Sequence, residues 1–183
     1  MKRIVANEQY CIGCRLCEVH CLVAHSGVGR SRLTSLTRRI IKAYKDESPR
    51  AEPRLLVEEQ GHVSFAVQCR HCDDAPCLDA CISGAMHRTE EGTVLCDEDR
   101  CVGCWMCVMV CPYGVIHCRR EEAAKADSAK AALAATAGQG APQGAEHRRP
   151  LRKVASKCDF CAGEATPACV LNCPNEALSL VEE

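Results

Sequence analysis

Short β-prone runs recur along this chain, each leading into or out of a cluster of cysteines. Residues 3–7 (Arg-Ile-Val-Ala-Asn) predict a strand, supported by the β-branched pair Ile4-Val5. His62 to Val67 alternates toward apolar and predicts another. Gly92 to Leu95, Val115 to His117 and Ala177 to Val181 predict three more. Between the strands, cysteines four apart, as at Cys17 and Cys21, place two thiols on one helical face and predict the start of a short helix. The unit of strand, cysteine loop, short helix, Pro or Gly turn and strand repeats with small variations, and this repeat is the main architectural signal.

Two stretches interrupt it. Residues 22–61 read as a long insertion, with turns at Ser48-Pro49 and Glu52-Pro53 and short strands expected at Ile40-Ile41 and Leu55 to Val57. Within it, residues 30–45 carry six basic side chains (Arg30, Arg32, Arg38, Arg39, Lys42, Lys45) and no acid. Such a run is read as a solvated face, although it is also the only feature that would suit a nucleic acid or an acidic partner. Residues 119–149 form the second stretch. Glu121 to Ala137 is rich in Ala, Lys, Glu and Asp and predicts a helix; Gly138 to Gly144 then breaks it into a loop. Gly138 and Gly140 do not make a dinucleotide site, because no strand precedes them and Pro142 interrupts the required helix start.

The cysteines carry the chemistry. Of 18, sixteen fall into four complete groups of four. Group I is Cys11, Cys14, Cys17, Cys21; group II is Cys69, Cys72, Cys77, Cys81; group III is Cys101, Cys104, Cys107, Cys111; group IV is Cys158, Cys161, Cys169, Cys173. Groups I and III have the spacing C-x2-C-x2-C-x3-C of bacterial ferredoxins, in which the fourth cysteine ligates the other cluster of a pair. Three closely spaced thiols let one loop wrap three corners of a cubane, and the soft iron of such a cluster favours thiolate. The pattern predicts four [4Fe–4S] clusters and a function of moving electrons.

Composition agrees. Aromatics are only 3 % of 183 residues, so large side chains alone give little core. Disulfides would need an oxidising compartment, and no apolar segment of a signal peptide precedes Cys11, so a cytoplasmic setting is expected. Zinc sites use one tetrahedron per module and do not need the triplet spacing. No membrane span is expected: Cys101 to Cys118 is free of Asp, Glu, Lys and Arg, but its cysteines, Pro112 and Gly114 mark a ligand loop. The formal charge is −1; four oxidised clusters at about −2 each, thiolates included, bring the loaded protein to about −9.

The strings CIGCRLCEVHC, CRHCDDAPCLDAC, CVGCWMCVMVCPYG and CDFCAGEATPACVLNCP resemble those of four-cluster ferredoxin subunits of multisubunit redox enzymes. These include the ferredoxin associated with carbon monoxide dehydrogenase and the iron–sulfur subunits of molybdenum and tungsten oxidoreductases, tungsten aldehyde oxidoreductase among them. The resemblance implies an α+β fold of two ferredoxin-like dicluster lobes with small antiparallel sheets and short helices, one lobe inserted into the other. The outer lobe would be 1–30 plus 150–183, the inner 62–118, with 31–61 and 119–149 as insertions. It also implies crossed ligation: Cys11, Cys14, Cys17 with Cys173; Cys158, Cys161, Cys169 with Cys21; Cys69, Cys72, Cys77 with Cys111; and Cys101, Cys104, Cys107 with Cys81. Leu22 and Ile82 stand where the family often has proline after the last cysteine of a group.

The remaining candidates read as structural. Cys96 and Cys118 are expected to be buried, inert thiols. Trp105, Met106 and Met109 are expected to pack against a cluster and exclude water. His20, His25, His71, His87 and His117 are not needed as ligands, since the cysteine count is complete. The chain therefore reads as a non-catalytic relay of single electrons between a catalytic oxidoreductase subunit, such as a tungsten or molybdenum enzyme or carbon monoxide dehydrogenase, and a flavin- or NAD-linked partner. Self-association into a longer wire is compatible with it. The alternatives are a free-standing ferredoxin and, from the basic run alone, a regulatory protein that binds nucleic acid.

Overall fold

The computed structural model describes residues 2–26, 40–41, 52–122, 151–162 and 164–182. Most of the basic run 30–45 and of the Ala-rich stretch 119–149 lies outside them. In chain order the elements are β1 (Lys2–Ala6), α1 (Leu16–His25), β2 (Leu55–Gln60), β3 (Val63–Gln68), α2 (Pro76–Asp79), β4 (Met86–Arg88), β5 (Val94–Cys96), α3 (Met106–Val110), β6 (His117–Glu122), β7 (Leu151–Ser156), α4 (Ala168–Leu171) and β8 (Leu178–Glu182). They form the small antiparallel sheets and short helices of a ferredoxin-like α+β fold.

Each sheet has two strands: β1 with β8, β2 with β3, β4 with β5, and β6 with β7. The order is that of a duplicated unit. Each half runs strand, cysteine group, helix, hairpin, cysteine group, helix, strand. The first strand of each half pairs with the last strand of the other: Ala6 opposes Leu178 and Cys96 opposes Met86. Helices pair across the halves too, α1 on α4 and α2 on α3.

Two apolar cores result. Ile4, Cys17, Cys21, Leu55, Val57, Ala66, Cys169 and Leu178 form one; Ala85, Met86, Cys101, Cys107, Ile116, Val154 and Ala155 form the other. Thiols thus replace the large side chains the sequence lacks. The cores divide the chain differently from the expected boundaries at two places. β2 and β3, from 55 to 68, pack into the core of group I, although the sequence pattern places 62 onward in the inner lobe. β7 packs into the core of group III, although the same pattern places 150 onward in the outer lobe. In each case a hairpin covers the neighbouring C-x-G-C loop. Gly13 lies against Ser64 of β3, and a Cβ at Gly103 would meet the Lys153 carbonyl oxygen of β7 at 2.7 Å.

Several sequence expectations are corrected. Ile40 and Ile41 are helical rather than extended. β5 starts at Val94 because Gly92 and Thr93 belong to the turn that joins it to β4, a strand the pattern missed. Val115 and Ile116 precede β6 instead of opening it. β7 was also missed; charged Arg152 and Lys153 hid it. α1 runs past Cys21 to His25 because Leu22, where the family often has proline, lets it continue.

Candidate iron–sulfur centres

The loop that begins each group is built on a left-handed residue at the third position of C-x-x-C. Gly13 (φ 67°), His71 (φ 47°), Gly103 (φ 68°) and Phe160 (φ 55°) occupy it in groups I to IV. A residue with positive φ turns the chain sharply between two thiols. Glycine does so without strain, whereas His71 and Phe160 are held there by packing. They stack on one another, with ring centroids 4.2 Å apart and 24° between planes. His71 is buried and its Nδ1–H donates to the Val94 carbonyl at 3.0 Å, so its Nε2 carries a lone pair and finds no hydrogen-bond partner among the described residues. Burial and then the Lys157 charge hold its pKa down to about 3.

Two sets of thiols line cavities, and the other grouped cysteines lie near enough to one another to interact electrostatically. Cys11, Cys14, Cys17 and Cys173 line one cavity. Cys101, Cys104, Cys107 and Cys81 line a second, and Cys96 faces it as well. Cys21 lies near Cys161 and Cys169: burial and then the neighbouring thiols push Cys169 up to about 12, and Cys21 rises to about 12 by burial with a smaller contribution from Cys161. Cys158 is raised well above its ordinary value, by burial and then by Cys69, Cys169 and Cys21. Cys72 and Cys77 are raised by burial and by Cys69 and Cys111. Among the described residues no three His, Cys, Asp or Glu side chains converge as the ligands of a single ion would; the thiols ring cavities instead.

This donor chemistry fits an iron–sulfur cluster. Thiols buried in apolar surroundings hold their protons, and a cationic iron core is what lets them ionise. Backbone N–H groups are already aimed at sulfur: Arg54 to Cys21 (3.2 Å), Ala177 to Cys173 (3.2 Å), Met86 to Cys81 (3.3 Å), Ala155 to Cys101 (3.4 Å) and His71 to Cys69 (3.4 Å). Such donors offset thiolate charge and favour the reduced state of a cluster.

Beside these thiols one side-chain bond braces each half, and a chain of ion pairs joins the two. Gln68, just before Cys69, donates to the Ile4 carbonyl at 2.9 Å; Lys157, just before Cys158, donates to the Val94 carbonyl at 2.8 Å. An ion-pair chain runs from His25 through Asp159 (3.0 Å) to Arg54 (2.7 Å), on to Glu98 (3.8 Å) and Arg119. For Asp159 burial acts to raise the pKa, but the His25 hydrogen bond and the Arg54 charge win and hold it far below the usual carboxylate range. Sequence reasoning missed this chain, since nothing in one sequence pairs positions 25, 54, 98 and 159.

The other candidates fall as follows. Cys14 and Cys104 are exposed. Cys118 is exposed rather than buried, because among the described residues β6 pairs only with β7 and alternate residues of a two-stranded ribbon face out. Cys96 is half-buried against the group III cavity. Trp105 lines that cavity, but Met106 and Met109 are exposed instead of packed, since Cys107 takes the inward face of α3. His87 is exposed, whereas His71 is interior. Among the described residues no helix is long and apolar enough to cross a membrane.

Comparison with known proteins follows the same line. A family model described as a 4Fe-4S dicluster domain matches residues 61–139. An "Iron-sulfur protein" of Rhodospirillum rubrum is 36 % identical over 185 residues, which cover 98 % of this chain and 81 % of the relative. "Electron transport protein HydN" of Escherichia coli (strain K12) is 34 % identical over 180 residues, 98 % of this chain and 87 % of the relative. "Thiosulfate reductase electron transfer subunit PhsB" of Salmonella typhi is 32 % identical over 183 residues, 94 % of this chain and 71 % of the relative.

Proposed function

This chain belongs to the family of 4Fe-4S ferredoxin-like electron-transfer proteins, and from that premise we propose that its sixteen grouped cysteines hold four [4Fe–4S] clusters in crossed sets. The protein transfers electrons, and [4Fe–4S] clusters are its cofactors. When bound, such clusters exchange single electrons. The proposed sets are Cys11, Cys14, Cys17, Cys173; Cys158, Cys161, Cys169, Cys21; Cys69, Cys72, Cys77, Cys111; and Cys101, Cys104, Cys107, Cys81. The observation that carries the crossing is that Cys173 lines the cavity of group I and Cys81 that of group III. One dicluster lobe, of groups II and III, then sits between the two parts of the other.

The chain's own residues hold the thiolates, supply N–H donors to sulfur and keep water off with Ile4, Val57, Met86 and Val154. We assign it no catalytic step of its own. Its role is that of a cytoplasmic relay subunit between a catalytic oxidoreductase and a second redox partner of flavin or nicotinamide type. The printed name of PhsB, an electron transfer subunit of a reductase, supports a partner of the reductase kind; a carbon monoxide dehydrogenase or a tungsten or molybdenum enzyme is the partner implied by the cysteine strings.

Anaerobic purification tests this reading. The expected product is brown, with about sixteen irons and as many acid-labile sulfides per chain, and it co-elutes with a larger oxidoreductase subunit. Crossing is tested by variants: Cys21→Ala and Cys161→Ala should abolish the same electron paramagnetic resonance signal. If Cys21→Ala and Cys14→Ala abolish one signal instead, each group binds its own cluster.

A further inference from the structure

The duplicated fold allows the two thiol-lined cavities to be compared position by position. Ile4 and Val94 are equivalent, since their carbonyls accept the matching bonds from Gln68 and Lys157. Two residues on, Ala6 and Cys96 end β1 and β5, opposite Leu178 and Met86. Each stands five residues before the first cysteine of its group. Ala6 lines the group I cavity and Cys96 lines the group III cavity. One cavity therefore has four thiols and a methyl group, the other five thiols.

A cubane has four iron corners, and groups II and III already supply four thiolates to the second cavity. That Ala6 fills the same place in the sister cavity shows that a site of this shape is complete without a fifth sulfur. The position is also a strand end, fixed by pairing with Met86, whose neighbour Ala85 belongs to the same core. Cys96 thus sits against the cluster's surface without a corner to bind. A thiol in that place is a weak S–H donor, and donors to cluster sulfur stabilise the extra negative charge of the reduced form.

We propose that Cys96 is a non-ligating thiol that donates an S–H hydrogen bond to the cluster of the group III cavity and makes that cluster easier to reduce than it would be with alanine in its place. The proposal rests on the reading that this cavity holds a [4Fe–4S] cluster.

The test is a redox titration of the intact protein followed by electron paramagnetic resonance, with iron and acid-labile sulfide measured on each sample. Cys96→Ala should keep the full iron and sulfide content and shift one of the four waves to lower potential. A fivefold change in the ratio of reduced to oxidised cluster at fixed potential, about 40 mV at 59 mV per tenfold for one electron, is the expected size. Cys96→Ser, which keeps a donor, should return most of the shift. Ala6→Cys should move a different wave, upward. Unchanged waves in a fully loaded Cys96→Ala protein overturn the proposal; so does loss of one cluster, which would make Cys96 a ligand. If wild-type protein contains no labile sulfide, the cluster reading fails before any variant is compared.

Discussion

His71 and Phe160 stack face to face, 4.2 Å between ring centroids, although they stand 89 positions apart in the chain. Each is a left-handed residue at the third position of a C-x-x-C loop, one in group II and one in group IV, where Cys161 is left-handed as well. The contact joins the two halves at the point where Cys158 also senses Cys69. Removing either ring leaves the strained backbone in place and takes away the packing that holds it.

Phe160→Ala should therefore cost about 3 kcal/mol, the range for truncating a packed aromatic ring. Phe160→Asn should cost less than its loss of apolar area suggests, because asparagine tolerates positive φ. Thermal unfolding of the anaerobic holoprotein, with the cluster absorbance followed alongside, measures both. Equal losses for the two variants would show that φ at this position carries no strain.

Gly13 and Gly103 are matched in sequence and in φ, yet their surroundings differ. At Gly13 a Cβ meets the Ser64 hydroxyl at 3.3 Å, the end of a side chain; at Gly103 it meets the Lys153 carbonyl oxygen at 2.7 Å, which is backbone. Gly13→Ala should cost about 1–2 kcal/mol, the penalty of a left-handed L-residue. Gly103→Ala should cost several kcal/mol more, because β7 must move and carry the Ala155 N–H away from Cys101 Sγ. Denaturant titration of the two variants orders them. A reversed order would mean that β7 yields more readily than Ser64.

The difference between those glycines marks how far the sequence could be read. Cysteine spacing names each group, and Cys17 with Cys21 gives the helix, because both follow from local periodicity. The two strand-exchanged ladders do not. β1 pairs with β8 across 180 positions at Lys2 and Glu182, a choice made by burial of Ile4 and Leu178 and not by any turn signal. β4 and β5 are three residues each, too short for a period to show. Cys118, on a strand expected to flank group III, reads as buried and lies outside because a two-stranded ribbon has an open face. Cys96 reads as inert from its spacing alone; its match to Ala6, each five residues before the first cysteine of a group, is the sequence signal that it faces a cavity.

Removal of iron should unfold the chain rather than leave an empty scaffold. Cys17, Cys21 and Cys169 are members of one core and Cys101 and Cys107 of the other, so the cores are formed in part by the ligands themselves. A structural metal group whose ligands are preassembled only in the fold contributes its binding free energy to folding. Chelation with an iron-specific reagent under anaerobic conditions should abolish strand and helix circular dichroism together with cluster absorbance. Dichroism that survives complete loss of iron would show that the hairpins and helices stand without their clusters.

Arg54 offers the sharpest electrostatic test. Its side chain is only 11 % exposed and lies 2.7 Å from Asp159 and 3.8 Å from Glu98, while Asp159 also meets His25. Arg54→Met keeps much of the stem and leaves two half-buried carboxylates without their shared cation. Breaking a buried pair from one side costs about 3–5 kcal/mol; the pairs here keep some solvent, so about 2–3 kcal/mol is expected. The backbone N–H of residue 54 still reaches Cys21 Sγ in that variant, so the cluster held by Cys21 should stay intact and only the fold should weaken. The double variant Arg54→Met, Asp159→Asn should recover part of the loss, because one of the stranded charges is gone. Melting temperature together with iron content separates the two effects: a stable protein short of about four irons would place Arg54 in cluster retention instead of in the ion-pair chain.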